Sequence, residues 1–401
     1  MSREESQDGK LPLGALLALA MTGFICIVTE TLPAGLLPEI GSGLGVSPSF
    51  AGQMVTVYAL GSLLAAIPLT IATQSWRRRT VLLLTIVGFL VFNSVTALSS
   101  NYWLTLVARF FAGVSAGLAW SLIAGYARRM VVPQLQGRAL AVAMVGTPIA
   151  LSLGVPLGTW LGGFMGWRMA FGLMSAMTVV LIAWVLIKVP DYPGQSSSQR
   201  MALRKVFSTP GVRPVLAVVF TWMLAHNILY TYVAPFVAKA GLANDVDVVL
   251  LAFGVAALAG IWVTGRLVDR HLRTTVLASL ATFAAVAVFL GLFSDSASAI
   301  YAGVFIWGLT FGGAATLLQT ALADSAGEGA DVALSMNVVV WNSAIAGGGL
   351  LGGVLLGQWG VSTFPWVLLA LLLISLGIAA RAREHGFTGG DRQTREMVVG
   401  H

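Results

Sequence analysis

Two ionisable side chains stand where charge is expensive. Glu30 lies in the apolar run LGALLALAMTGFICIVTETLPAGLL and Arg109 in the run YWLTLVARFFAGVSAGLAW, and no other of the 16 acidic or 23 basic residues falls as deep in such a run. An ionised group at the centre of a bilayer costs at least about 2.5 kcal/mol by insertion scales. A carboxyl that passes between dry and wet surroundings takes up and gives off a proton, which is the chemistry of proton coupling. Glu30 is therefore read as a proton carrier, the alternative being a hydrogen-bonding strut between helices. For Arg109 two readings stand side by side: a charge that pairs with Glu30 or a polar substrate, or a guanidinium that ties off helix carbonyls. A histidine, His226, has an unperturbed pKa that lets it titrate between pH 5 and 8, and Asn227 and Tyr230 accompany it. It is read as a relay or as a plain hydrogen-bonding residue. Gln53, Tyr58, His226, Asn227, Tyr230, Asn337, Trp341 and Asn342 are the candidates for substrate contact. Asn337 and Trp341 are four apart and share a helix face. Such an amphipathic set suits a neutral or weakly polar small molecule, although each side chain taken singly could equally serve packing.

Other chemistries lack their parts. The sequence has no Gly-rich loop ending in Lys-Ser/Thr for ATP, no His/Glu cluster with metal spacing and no nucleophile beside a base, so no cofactor, metal or enzymatic activity is expected. The lone cysteine, Cys26, lies in an apolar helix and is read as packing.

The elements that must position these residues follow from composition. The chain is 57% hydrophobic and 10% charged, with a mean hydropathy of +0.86, against about 25% charged residues in a soluble domain. Twelve windows of roughly 20 apolar residues, long enough to cross a hydrocarbon core, recur between residues 12 and 381. They predict an all-α membrane protein, since uninterrupted apolar runs do not fit the alternating strands of a membrane barrel. The net charge of +7 is explained by placement rather than by a nucleic-acid partner. With the N-terminus in the cytoplasm, all Lys and Arg except Arg109, Arg168 and Lys239 fall on cytoplasmic segments. The expected location is the bacterial cytoplasmic (inner) membrane, multi-pass, with both termini cytoplasmic and the first helix retained rather than cleaved. No half-span filter loop interrupts the windows, which disfavours a channel.

The longest hydrophilic break, residues 189–213 (VPDYPGQSSSQRMALRKVFSTPGVR), separates six windows from six. The expected domains are a six-helix bundle at 1–188, a cytoplasmic linker at 189–213 and a second bundle with a short cytoplasmic tail at 214–401. An ungapped offset of 195 superimposes Phe110, Gly113 and Gly117 on Phe305, Gly308 and Gly312, Gly154, Gly158 and Gly162 on Gly349, Gly353 and Gly357, and Arg78 on Arg273. A duplicated unit with a substrate path near the midplane is an architecture of secondary transporters.

Three motifs carry a family resemblance. Gly265-Arg266-Leu267-Val268-Asp269-Arg270-His271-Leu272-Arg273 resembles the loop signature of the major facilitator superfamily, in which Gly permits a bend, Asp meets a helix N-terminus and basic residues face the cytoplasm. The equivalent first loop keeps Arg77 and Arg78 without the Gly or the Asp, which leaves open which half carries the latch. The run Leu104 to Gly117 is similar to the family's intramembrane-Arg signature. Gly146-Thr147-Pro148 and Gly154-Val155-Pro156-Leu157-Gly158 resemble the Gly/Pro-rich motif of drug/proton antiporters. With Thr29 to Ile40, Ala51-Gly52-Gln53 and Tyr58-Ala59-Leu60-Gly61, nearly the whole chain resembles the twelve-span branch holding sugar-efflux, chloramphenicol-resistance and nucleoside-efflux transporters. The resemblance implies the twelve-helix fold in two pseudo-symmetric bundles, a monomer, and export of a drug, sugar or nucleoside-like molecule against protons; an importer or uniporter on the same fold is the alternative.

Overall fold

A computed structural model describes residues 11–73, 75–132, 135–194 and 203–388. Among the described residues there are helices and no strands. Twelve helices are long and apolar enough to cross a membrane: α1 Leu13–Gly35, α2 Pro48–Ala66, α3 Arg78–Leu98, α4 Tyr102–Arg129, α5 Ala139–Met165, α6 Trp167–Lys188, α7 Val212–Thr231, α8 Val246–Val268, α9 Arg270–Leu292, α10 Ala297–Ala326, α11 Val332–Trp359 and α12 Val361–Arg381. They form two compact units, one of Met1–Val46 and Val57–Ser198, the other of Ser47–Thr56 and Gln199–His401.

Each unit is built the same way. In the first, α1 packs on α5 and α6, and α3 on α4 and α6. In the second, α7 packs on α11 and α12, while α9 meets α10 through Phe283 and Trp307 and α12 through Gly291 and Trp366. The 195-residue offset reaches the local chemistry too. Asn101 caps α4, its side chain accepting from Leu104 N at 3.0 Å, and Ser296, one offset on, caps α10 by accepting from Ala299 N at 3.4 Å. A Cβ on Gly113 would strike the Tyr58 carbonyl, and one on Gly308 the Phe253 carbonyl, so both copies need a bare backbone where these helices cross.

Helix α4 shows how an arginine comes to lie inside. Trp103, Val107 and Phe111, each one turn apart, are exposed on its outer face, and Thr105, Arg109, Ala112 and Ala116 form the buried stripe opposite. Helix α5 carries the predicted proline distortions: a π turn, Ala150–Gly154, lies between Pro148 and Pro156, each of which removes a backbone donor. The repeat-equivalent helix has Leu351 instead of a proline and runs unbroken from Ala330 to Trp359.

One expectation needs correction. Helices α8 and α9 join directly, and the break falls at His271 (φ −131, ψ 30), not at Gly265, which keeps helical geometry and has open space around it. The backbone angles at His271 lie outside the left-handed region, so no glycine is needed for the bend.

Candidate functional site

Pro33 lies inside α1, and a proline has no N–H to give the carbonyl four residues back. That carbonyl belongs to Thr29. Arg109 fills the vacancy: its Nη1 donates to Thr29 O at 2.6 Å and its Nη2 to Glu30 O at 3.4 Å. The guanidinium lies 4.8 Å from the centre of the Tyr58 ring and 5.6 Å from that of Phe171, both favourable cation–π distances. Tyr58 donates its hydroxyl to Cys26 O at 2.9 Å, and Asn93 donates to the Thr29 hydroxyl at 3.0 Å. Glu30 is 7% exposed and Arg109 0%. Two hydrogen bonds of Arg109 go to helix carbonyls, and its guanidinium also lies close enough to Glu30 to interact with its charge. Glu30 thus directly follows the carbonyl that Pro33 leaves without a helical donor, and the Arg109 guanidinium lies on its backbone.

Tyr58, a candidate for substrate contact, is fully buried beside the Arg109 guanidinium, with its hydroxyl on the Cys26 carbonyl. Gln53 belongs to a polar clasp within the second unit. Its Nε2 donates to Tyr232 Oη and to Gly349 O, both at 3.3 Å, Tyr232 donates to Gly349 O at 2.7 Å, and Ser49 donates to Gly353 O at 2.7 Å. Sequence reading missed Ser49 and Tyr232, because their partners are carbonyls more than a hundred residues away.

The remaining candidates divide by helix. On α11, Asn342 donates to Val338 O at 2.9 Å, Trp341 is half-buried, and buried Asn337 has no partner for its Oδ1 among the described residues. On α7, Asn227 donates to Met223 O at 2.8 Å. His226 and Tyr230, one turn apart, stand in an aromatic box with Phe253, Trp307 and Phe311. Trp307 and Phe311 were also missed, since aromatic residues are common in lipid-facing positions and only the packing separates the two uses.

The residues of the loop motifs are placed as follows. Arg77 pairs with Asp191, Arg79 N donates to the same carboxylate, and Arg78 donates from its backbone to Tyr192 O and from Nη2 to Thr73 O. Tyr126 and Arg129 bind the carbonyls of Pro190 and Pro193. Asp191, directly after α6, supplies the acid that the first loop lacks. Burial alone would raise its carboxyl, but hydrogen bonds from Arg77 and Arg79 and the charges of both hold it below the usual carboxylate range. In the second unit Arg273 donates to Ala379, Ala380 and Phe387 carbonyls. Arg270 and Gly265 are exposed, and Asp269 falls on the helix with its side chain outside the described residues. On α5, Cβ atoms on Gly154 and Gly158 would meet Val28 and Leu32 of α1, and Pro156 is buried in the same helix.

An opened α1 turn over an intramembrane arginine, a glycine-sealed α5 and a duplicated six-helix unit define a membrane transporter of the major facilitator type. The family model for the Major Facilitator Superfamily matches residues 19–348, and the chain belongs to that family. It is 30% identical over 375 residues to the purine ribonucleoside efflux pump NepI of Escherichia coli O6:K15:H31 (strain 536), covering 92% of this chain and 93% of that protein. It is 29% identical, with the same coverage, to the proteins of that name in Escherichia coli O157:H7 and Escherichia coli K12.

Proposed function

We propose that this chain exports a nucleoside-like small molecule from the cytoplasm in exchange for protons, by alternating access in the bacterial inner membrane. The nucleoside class rests on the likeness to the purine ribonucleoside pumps. The observation that carries proton exchange is the buried Glu30 beside the Pro33 gap, where Arg109 binds the Thr29 and Glu30 carbonyls. A carboxyl in such a span can load a proton from one side and release it to the other. The polar and aromatic side chains of α7 and α11, His226, Asn227, Tyr230, Asn337, Trp341 and Asn342, serve the substrate. Residues 1–188 and 214–401 act as the two moving bodies joined by 189–213, with both termini cytoplasmic, and the transporter works as a monomer.

Reconstituted protein separates the parts of this reading. Glu30→Gln should abolish pH-gradient-driven nucleoside export while leaving counterflow of preloaded nucleoside intact. Loss of both would remove Glu30 from a pure coupling role, and retention of both would remove it from coupling altogether.

A further inference from the structure

The second unit holds a built site at the place where the first unit keeps its charge. One offset from Glu30, Tyr58 and Arg109 stand Ala225, Phe253 and Val304. All three polar groups are gone, so the second copy has inherited no reason to bury nitrogen there. It nevertheless does so twice. His226 is 7% exposed and Trp307 0%, and His226 Nδ1 and Trp307 Nε1 are buried with no hydrogen-bond partner among the described residues. A buried polar group without a partner is costly, and a bound ligand would remove that cost.

The surroundings say what shape that ligand has. The imidazole of His226 lies 5.2 Å from the Trp307 ring and 5.2 Å from the Tyr230 ring, and Phe253 lies 4.5 Å from Trp307. On its remaining face Phe311 is stacked coplanar, 3.5 Å between centroids and 2° between planes. That is how a planar heterocycle would lie on the imidazole. Phe311 is only half-buried. It follows Trp307 by one turn on the inner face of α10, away from the exposed stripe Phe305, Ile306 and Leu309. Its open side therefore faces the interior of the unit and not lipid.

We propose that this box is the subsite for the base of the substrate, and that Phe311 occupies the stacking position on His226 when no ligand is bound. The assignment to a purine base rests on the nucleoside-export reading. When the base displaces Phe311, it stacks on the imidazole and turns its edge to Trp307 Nε1–H, which donates to a ring nitrogen or oxo group. Neutral imidazole has one N–H and one acceptor nitrogen, so His226 Nδ1 can face either an amino or an oxo purine by changing tautomer. The ribose carries no recognition here.

The test is equilibrium binding of radiolabelled inosine and adenosine to the purified full-length protein, with guanosine, free hypoxanthine and ribose as competitors. The variants are His226→Phe, Trp307→Phe and Phe311→Ala, the first two keeping an aromatic ring while removing the hydrogen-bonding nitrogens. Hydrogen-bond and stacking losses of this kind are worth roughly tenfold in affinity. The expected result is that hypoxanthine competes and ribose does not, that H226F and W307F weaken both nucleosides about tenfold, and that F311A binds them as tightly as wild type or more tightly. If wild type binds purine nucleosides and H226F and W307F bind them equally well, the subsite is overturned while the export reading stands. A tenfold loss in F311A would make Phe311 a wall of the site and overturn its role as an occupant. If wild type binds no purine nucleoside, the export reading fails, and the purine assignment fails with it.

Discussion

The two six-helix units share a scaffold and differ in what they bury. Gly113 and Gly308 let the same pair of helices touch, Asn101 and Ser296 start the same helix, and α1 meets α5 as α7 meets α11. Within that common frame the first unit encloses Glu30, Tyr58 and Arg109, and the second encloses Ala225, Phe253 and Val304 with aromatic rings around them. Backbone crossings are set by close contact along whole helices, so a change at any of them disturbs the entire unit. A side chain in the interior can change alone if its partners change with it. A repeated frame can therefore carry a charged interior in one copy and an aromatic one in the other.

The largest expected effect comes from Arg109. Removing it leaves the Thr29 carbonyl bare at a position where Pro33 has already removed the helical donor. Charge-assisted bonds are worth about 1.5–3 kcal/mol each, so Arg109→Ala should cost roughly 4 kcal/mol. Val304→Ala, its counterpart, should cost about 1–2 kcal/mol as a simple cavity. Thermal unfolding in detergent ranks the two. Adding Pro33→Ala restores an N–H for Thr29 and should recover about 1 kcal/mol of the Arg109→Ala loss. Equal midpoints for Arg109→Ala and Val304→Ala would erase the distinction between a charged and an aromatic copy.

Next come the shared crossings. Gly113→Ala drives a Cβ into the Tyr58 carbonyl and Gly308→Ala one into the Phe253 carbonyl. Each is expected to destabilise by about 1–3 kcal/mol, the usual cost of overpacking, and the two shifts should agree. A marked inequality would mean that one unit has relaxed its helix crossing, and the common frame would hold for only part of the repeat.

How much of this could be read beforehand follows the physics of each feature. Spans, their number and the isolation of Glu30 and Arg109 are properties of local composition, so they are visible in any window of the chain. The 195-residue offset was visible for the same reason, as a match of small residues. The acceptor of Arg109 was half visible: Pro33 announces a missing donor, but Thr29 lies 80 residues from the arginine that replaces it. Tyr58 was legible as a polar ring in a span, yet which way it points depends on a third helix. Trp307 and Phe311 could not be separated from lipid-facing aromatics by pattern. The bend at His271 escaped notice because attention falls on Gly265, six residues earlier, where the helix simply continues.

The smallest expected effect concerns the short segments that follow α6 and α12, again one offset apart. In the first, Arg78 N holds the Tyr192 carbonyl at 2.9 Å. In the second, Arg273 Nη1 holds the Phe387 carbonyl at 3.0 Å. The difference is Asp191, which pairs with Arg77, against Gly386, which has no side chain to pair. An ion pair helps to hold the first segment, and arginine-to-carbonyl hydrogen bonds the second. The Asp191 carboxyl is held below its ordinary range, so its contribution is complete above the unfolded value near about pH 4 and is lost as pH falls through the lower folded value. Arg77 is 67% exposed, and a pair of that kind is worth about 0–1 kcal/mol. Asp191→Asn should therefore speed amide exchange at Arg78 and Arg79 by no more than about fivefold at pH 7, and leave Phe387 unchanged. The thermal midpoints of D191N and wild type should draw together as pH falls below about 4 and meet once it is below the lower folded value, because protonation removes the same charge that the substitution removes. Persistent separation there would assign the first segment's hold to the Tyr126 and Arg129 contacts, and the two copies would then be fastened alike.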